Sequence, residues 1–169
     1  MSKVEAMAAH IEELGRAHDL KISYTHRGGK GRAWRSRRIV HVGPIKSEIT
    51  YLVALHEIAH VAGHDQSSRH RRIVHEIAAW EWAIATCRSG GFPLTRRMRE
   101  KISCSLASYV SSYYWRRNTW LPTRDRNPEM FARMVRLLEL GRGKGKTLPY
   151  GLTQAFRMDQ SFGLDREEG

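Results

Sequence analysis

The feature that most constrains the fold is an uncharged run at positions 49–55, ITYLVAL, which leads directly into the pentapeptide HEIAH at positions 56–60. The run contains no glycine, proline or charged residue, which is typical of a buried helix. Ser47 is a suitable N-cap for this helix, and Gly63 can end it. We therefore predict that positions 56–60 lie on a helix in the protein interior.

The spacing of the two histidines in the pentapeptide indicates a metal site. Residues four apart on a helix share a face, so His56 and His60 can bind one ion together. Glu57 then lies beside the ion, where its carboxylate can take a proton from a water that the metal activates. This HExxH pattern predicts Glu57 as a general base and one Zn²⁺ per chain. The plain alternative is an ordinary helix whose histidines are solvated or packed in the core.

A catalytic zinc ion normally has a third protein ligand. On a helix predicted at positions 68–88, a rotation of about 100° per residue places Glu76 inside an apolar stripe and Glu81 just outside it. A buried carboxylate is costly unless it is paired or bound to metal. Glu76 is therefore the predicted third ligand and Glu81 the alternative, and the competing interpretation pairs Glu76 with a buried arginine or histidine. The stripe consists of Ile73, Ile77, Trp80, Ala83, Ile84 and Cys87.

Hydrolysis of a peptide also needs a donor that stabilises the carbonyl oxygen in the transition state. His64, His41 and Tyr51 are the candidates near the motif in the sequence. The sequence leaves the choice among them open.

These residues resemble the ImmA/IrrE-type zinc metallopeptidases of phages, mobile elements and bacterial regulators. The resemblance rests on the HEIAH helix after a short strand and on the next helix, with HEIAAWEWA at positions 75–83, and it covers residues 35–88. In that family an acidic residue just ahead of a small-and-aromatic run is the third metal ligand. Here Ala78 occupies the matching position and Glu76 lies two residues earlier. The resemblance implies that the substrate is a protein such as a DNA-bound repressor.

Hydrophobic periodicity predicts a mainly helical α+β fold. A helix covers positions 3–16, and strands at 20–25 and 38–42 flank a glycine-rich basic turn at 28–35. The two strands are expected to form a small sheet or hairpin beside the metal helix, which gives a zincin-like arrangement. Strand Ile39–Val42 is a candidate edge for an extended substrate, although a purely structural strand is the alternative.

A chain of 169 residues can bury one good core, so we predict a single zincin-like domain at positions 1–141. Its catalytic core spans about 35–88, and a helical half follows the break GGFP and spans 94–141. Positions 142–169 follow a Gly/Lys run and lack apolar periodicity, which predicts a flexible tail.

The formal net charge of +12 predicts a non-specific attraction to nucleic acid through a basic surface. The arginines are spread along the chain, and no helix-turn-helix or zinc-finger spacing indicates a specific DNA reader. The sequence also has no apolar run of membrane-spanning length and no signal-peptide pattern, so we expect a cytoplasmic protein without a membrane partner.

Two functions therefore follow from the sequence. The first is a zinc metalloendopeptidase that hydrolyses a protein or peptide substrate, and the resemblance adds a regulatory, repressor-like protein as that substrate. The second is a basic nucleic-acid-binding or phage accessory protein in which the zinc is structural. Only the first function needs the carboxylate of Glu57 as a base.

Overall fold

The computed structural model describes residues 1–25, 31–63, 72–115 and 127–141, and within the helix end at 111–115 it describes the backbone alone. The predicted tail at 142–169 lies outside the described residues. The predicted mainly helical α+β class is confirmed, with a small sheet beside the HExxH helix. The elements in chain order are α1 (Lys3–Ala17), β1 (Lys21–Tyr24), β2 (Arg32–Trp34), a 3-10 turn (Arg35–Arg37), β3 (Ile39–Val42), α2 (Glu48–Ala62), α3 (Arg72–Ser89), α4 (Arg96–Trp115) and α5 (Pro128–Glu139).

The chain forms two compact units. Unit 1 comprises Met1–His70 and Ala78–Met98, and unit 2 comprises Arg71–Ile77 and Arg99–Gly169. The boundary crosses α3, so this helix starts in unit 2 and continues in unit 1. No helix within the described ranges is long and apolar enough to cross a membrane.

Helix α2 carries the HExxH pentapeptide and lies in the interior of unit 1. Its N-terminus has a capping box, in which Ser47 Oγ accepts the amide of Thr50 and Thr50 Oγ1 accepts the amide of Ser47 at 3.0 Å. At the other end the amide of Gly63 donates to the carbonyl of Ala59 at 2.9 Å. Both predicted ends of the helix are confirmed. The helix packs against α1, β2 and β3, which explains why none of the residues in its apolar run is exposed.

The sheet has the order β1-β3-β2, with β1 parallel and β2 antiparallel to the central strand β3. The two predicted strands, β1 and β3, do pair in a small sheet, but they pair in parallel, so the hairpin alternative is wrong, and the segment predicted as a turn contains β2. The prediction that Ile39–Val42 is a free edge is also wrong, since both sides of β3 are paired. Val40 and Val42 are fully buried, so the sheet turns this face towards the core of unit 1.

Arg38 joins the end of α1 to the start of β3. Its backbone is left-handed, with φ 51°, and its side chain reaches back to the residues that follow α1. The guanidinium donates through Nε to the carbonyl of Asp19 at 2.9 Å and through Nη2 to the carbonyl of His18. The carboxylate of Asp19 lies 3.5 Å from the same Nε. Arg38 thus provides hydrogen-bond donors for the two carbonyls that directly follow α1.

Unit 2 is built on α4 and α5. Helix α5 begins with an Asn-Pro cap, since Asn127 Oδ1 accepts the amide of Met130 at 3.1 Å and Pro128 is the first helical residue. Ser103 Oγ donates to the carbonyl of Leu138 at 2.6 Å, a buried bond that connects the two helices. The apolar core of this unit includes Ile73, Ile77, Ile102, Leu106, Val110, Met134, Leu137 and Leu138.

Candidate metal centre

Three of the predicted site residues come together. His56, His60 and Glu76 each offer one ligand atom, and these atoms all lie within 4.8 Å of one another. His56 is 6% exposed and Glu76 is 4% exposed, while His60 is half-buried. The structure thus brings together the three residues that the sequence predicts as metal ligands, in a group that could hold an ion.

The donor set of this group fits zinc. Two imidazole nitrogens and one carboxylate oxygen are the ligands of many catalytic zinc sites. The Nε2 atoms of His56 and His60 lie 3.1 Å apart, where they share one hydrogen bond. Two nitrogens bound to one tetrahedral zinc ion at about 2.05 Å are separated by about 3.3 Å. The observed separation therefore needs little change to accommodate an ion between the two rings.

Neighbouring rings fix the orientation of His56. Its imidazole stacks on the indole of Trp80, with ring centroids 3.8 Å apart and an interplanar angle of 21°. The ring of His60 meets His56 edge-on, with centroids 4.6 Å apart. Because Trp80 is fully buried, its indole is a rigid surface for the ligand. Packing of this kind reduces the reorganisation that metal binding requires.

Glu76 lies on α3 among apolar residues, as the helical stripe predicts. Ile73, Ile77 and Trp80 on the same helix are fully buried around it. Its carboxylate accepts a hydrogen bond from the hydroxyl of Tyr109 on α4. Burial raises the pKa of Tyr109, and the negative charge of Glu76 raises it further. The alternative ligand Glu81 is half-buried and is not part of the group formed by the described residues.

Glu57, the predicted general base, is half-buried on α2 next to His56. The backbone of Gly31, just before β2, lies against its side chain. A Cβ atom at position 31 would lie 2.7 Å from both Cδ and Oε1 of Glu57, and closer still to its Cγ. The missing side chain of Gly31 therefore makes room for this carboxylate.

Replacing Gly31 with alanine is expected to lower kcat/KM for peptide hydrolysis by about 100-fold, because displacement of a catalytic group by about 1 Å has effects of this size. Gly31 does not have a positive φ, so alanine is compatible with its backbone. The nearest atom to the added Cβ is Cγ of Glu57, close to the backbone of α2, so the Glu57 side chain must take another rotamer, and the free energy of unfolding should fall by about 1 to 3 kcal/mol. Steady-state kinetics and thermal unfolding of the same variant measure the two effects.

Gly43→Ala is the matched control for this variant. A Cβ atom at Gly43 meets no atom within 4 Å, so the substitution should leave both activity and stability unchanged. A Gly31→Ala variant with wild-type kinetics would show that the contact with Glu57 has no importance for catalysis.

The three candidate donors for the transition state are placed differently. The hydroxyl of Tyr51 is hydrogen-bonded to His10 Nδ1 at 2.7 Å, and its ring packs against Phe92. Tyr51 lies about 140° around α2 from His56, so it faces away from the metal group. His41 packs edge-on against Trp34, with centroids 4.3 Å apart, on the sheet face opposite to the buried valines of β3. His64 lies outside the described residues.

Sequence reasoning missed three residues that shape this site. Tyr109 lies on α4 beside the buried residues Leu106 and Val110, and a tyrosine among apolar residues needs a partner for its hydroxyl, which was a usable signal. Gly31 belongs to a glycine-rich segment, where close backbone approach is one of the common reasons for glycine. Trp80 was assigned to the core, and nothing in the sequence indicates that it stacks on His56.

Comparisons of the chain with family models, with curated proteins and with solved structures give no match. The resemblance to the ImmA/IrrE-type peptidases accordingly stays a prediction. The chemical features of the site are the His56, His60 and Glu76 group, which could hold an ion, and Glu57 on the residue after His56.

Proposed function

We propose that the protein is a zinc metalloendopeptidase that hydrolyses peptide bonds in a protein substrate. The observation that carries the proposal is the convergence of two histidines and one buried carboxylate within 4.8 Å, with a second carboxylate on the residue after the first histidine. A purely structural zinc site has no use for that second carboxylate, and such a site usually has four protein ligands. Three ligands leave one coordination position for the reaction.

In the proposed mechanism His56, His60 and Glu76 would hold the ion. When bound, zinc supplies a Lewis acid that lowers the pKa of a coordinated water to about 7 and polarises a substrate carbonyl. Glu57 accepts the proton of the attacking water and then donates it to the amine that leaves. The half-buried position of Glu57 keeps its carboxylate accessible to water and substrate while Gly31 limits where it can move.

A peptide substrate also has a place to bind in this proposal. Strand β2 is an edge of the sheet, and Gly31 at its start contacts Glu57. An extended peptide that adds to this edge would run past the general base with chain on both sides of the scissile bond, as an endopeptidase requires. We propose β2 in place of β3 as the strand that receives the substrate. The family resemblance favours a regulatory protein as that substrate.

Metal removal tests the proposal directly. The purified full-length protein is loaded with zinc and then dialysed to remove unbound metal. Atomic absorption should then detect one zinc ion per chain. When it is mixed with a library of cell-derived peptides, mass spectrometry should detect new peptide termini. Removal of the metal with 1,10-phenanthroline should abolish the cleavage, and added zinc should restore it, because the metal activates the water.

Three results would contradict the proposal. A folded protein that binds no zinc would exclude the metal centre. A protein that binds one zinc ion but produces no new termini would favour the structural role of zinc, with the basic surface serving nucleic acid. Cleavage that persists after chelation would point to a contaminating peptidase or to a different mechanism.

A further inference from the structure

Tyr109 on α4 is a polar neighbour of Glu76. Its hydroxyl donates to the carboxylate of Glu76, and the side chain of Arg72 donates to the same hydroxyl oxygen. The guanidinium carbon of Arg72 lies 5.2 Å from the centroid of the Tyr109 ring. Glu76, Arg72 and Tyr109 all belong to unit 2, so these contacts lie within one compact body.

We propose that Tyr109 is a positioning residue for the metal ligand Glu76. One carboxylate oxygen accepts the hydrogen bond from Tyr109, and the carboxylate is thereby held with an oxygen close to the nitrogens of His56 and His60. This inference rests on the proposed metal centre.

Physical reasons favour this role. A glutamate has three side-chain dihedral angles, and a ligand that must be ordered at the moment of metal binding loses affinity to conformational entropy. Glu76 is only 4% exposed, so little bulk water reaches it to provide a competing hydrogen bond. Hydrogen bonds to metal-binding carboxylates orient them, and their loss typically lowers metal affinity by 10- to 100-fold.

Arg72 strengthens the arrangement from the other side. Its positive charge lies against the ring and hydroxyl of Tyr109, and it polarises the phenol towards donation to the carboxylate. The series of hydrogen bonds thus extends from the exposed Arg72 through Tyr109 to the buried Glu76. A tyrosine suits the middle position because its rigid ring carries one hydroxyl at a fixed distance from α4.

The test is Tyr109→Phe in the full-length protein, which removes only the hydroxyl. Zinc affinity is measured by competition with a chromophoric chelator, and the visible spectrum of the Co²⁺-loaded protein reports ligand geometry. We expect zinc to bind 10- to 100-fold more weakly and the cobalt bands to change. Tyr24→Phe is the matched control, because the Tyr24 hydroxyl donates to Glu12 at 2.6 Å on the surface, and it should behave as wild type.

A double-mutant cycle separates positioning from a general structural effect. In a Glu76→Gln background, Tyr109→Phe should have no further effect on zinc affinity, since the carboxylate that it orients is absent. Thermal unfolding of the metal-free proteins shows whether each variant is folded. A variant with a lower unfolding temperature should still show the non-additive effect of the two substitutions on zinc affinity.

Three outcomes would overturn the inference. A Tyr109→Phe variant that binds zinc within about 2-fold of the wild-type affinity, with an unchanged cobalt spectrum, would show that Tyr109 does not position the ligand. An equal loss of affinity in both backgrounds would mean that Tyr109 acts through the fold, and a loss of kcat with unchanged affinity would make it a catalytic group. Failure of the wild-type protein to bind zinc would reject the proposed function itself, which is a separate result.

Discussion

Replacing Glu57 with glutamine is expected to lower kcat for peptide hydrolysis by about 10²- to 10⁴-fold, because proton transfer by a positioned general base contributes an effect of this size. Glutamine has nearly the same shape but does not accept the proton of the attacking water. Zinc affinity should stay within a factor of about three, since Glu57 is not one of the three grouped ligands. Steady-state kinetics on a cleaved peptide and chelator competition measure the two quantities.

Glu81→Gln is the control for this substitution. It makes the same chemical change in a half-buried glutamate that lies outside the metal group, so both kcat and zinc affinity should remain at wild-type values. If Glu57→Gln leaves hydrolysis intact, the base is another residue. If the biological activity of the protein survives Glu57→Gln in the absence of any hydrolysis, the structural zinc hypothesis is favoured.

Replacing Glu76 with glutamine is expected to weaken zinc binding by more than about 100-fold, which exceeds the usual loss when only a residue behind a ligand is changed. The amide keeps the volume of the side chain but removes the negative charge that the cation binds. Because Glu76 is buried beside fully buried residues, the isosteric change avoids the cavity that alanine would create. Activity should fall in parallel with zinc occupancy and recover in part at high zinc concentration.

The comparison of Glu76 with Glu81 decides which carboxylate is the third ligand. Chelator competition measures the zinc affinity of Glu76→Gln and of Glu81→Gln at the same pH and salt concentration. The variant that loses more affinity relative to wild type identifies the ligand. The geometry predicts a loss for Glu76 alone. A large loss for Glu81→Gln with little change for Glu76→Gln would reverse the assignment.

The residues of the candidate metal group were predictable because the sequence signals for them are local. His56 and His60 are four residues apart, and this separation alone puts them on one face of a helix. The capping box of α2 depends on residues three apart, and the burial of Glu76 depends on the period of a single helix. In each case the relevant geometry is set within a few turns of chain.

The sheet order was not predictable from the same rules. Strand β2 has only three residues, one of which is an arginine, and it lies in a segment that composition marks as a basic turn. The pairing of β1 with β3 is parallel and non-local, so no hairpin signal exists for it. The contacts of Gly31 with Glu57 and of Tyr109 with Glu76 likewise connect segments far apart in sequence. Tertiary packing determines them, and periodicity in one segment carries no information about its partner.

The Arg38 bond to the end of α1 affects how the basic character of the surface should be understood. Within the run Arg35-Ser36-Arg37-Arg38, the last side chain is held by two carbonyls and lies beside the carboxylate of Asp19. A polyanion gains affinity from cations that replace its condensed counterions, and a side chain held in this way is poorly placed to do so. Arg37 has an exposed side chain and no such restraint from α1 among the described contacts. The formal charge of +12 thus includes the guanidinium of Arg38, whose hydrogen bonds connect two elements of the fold. Fewer cations are therefore available to replace the counterions of a polyanion than the formal charge suggests.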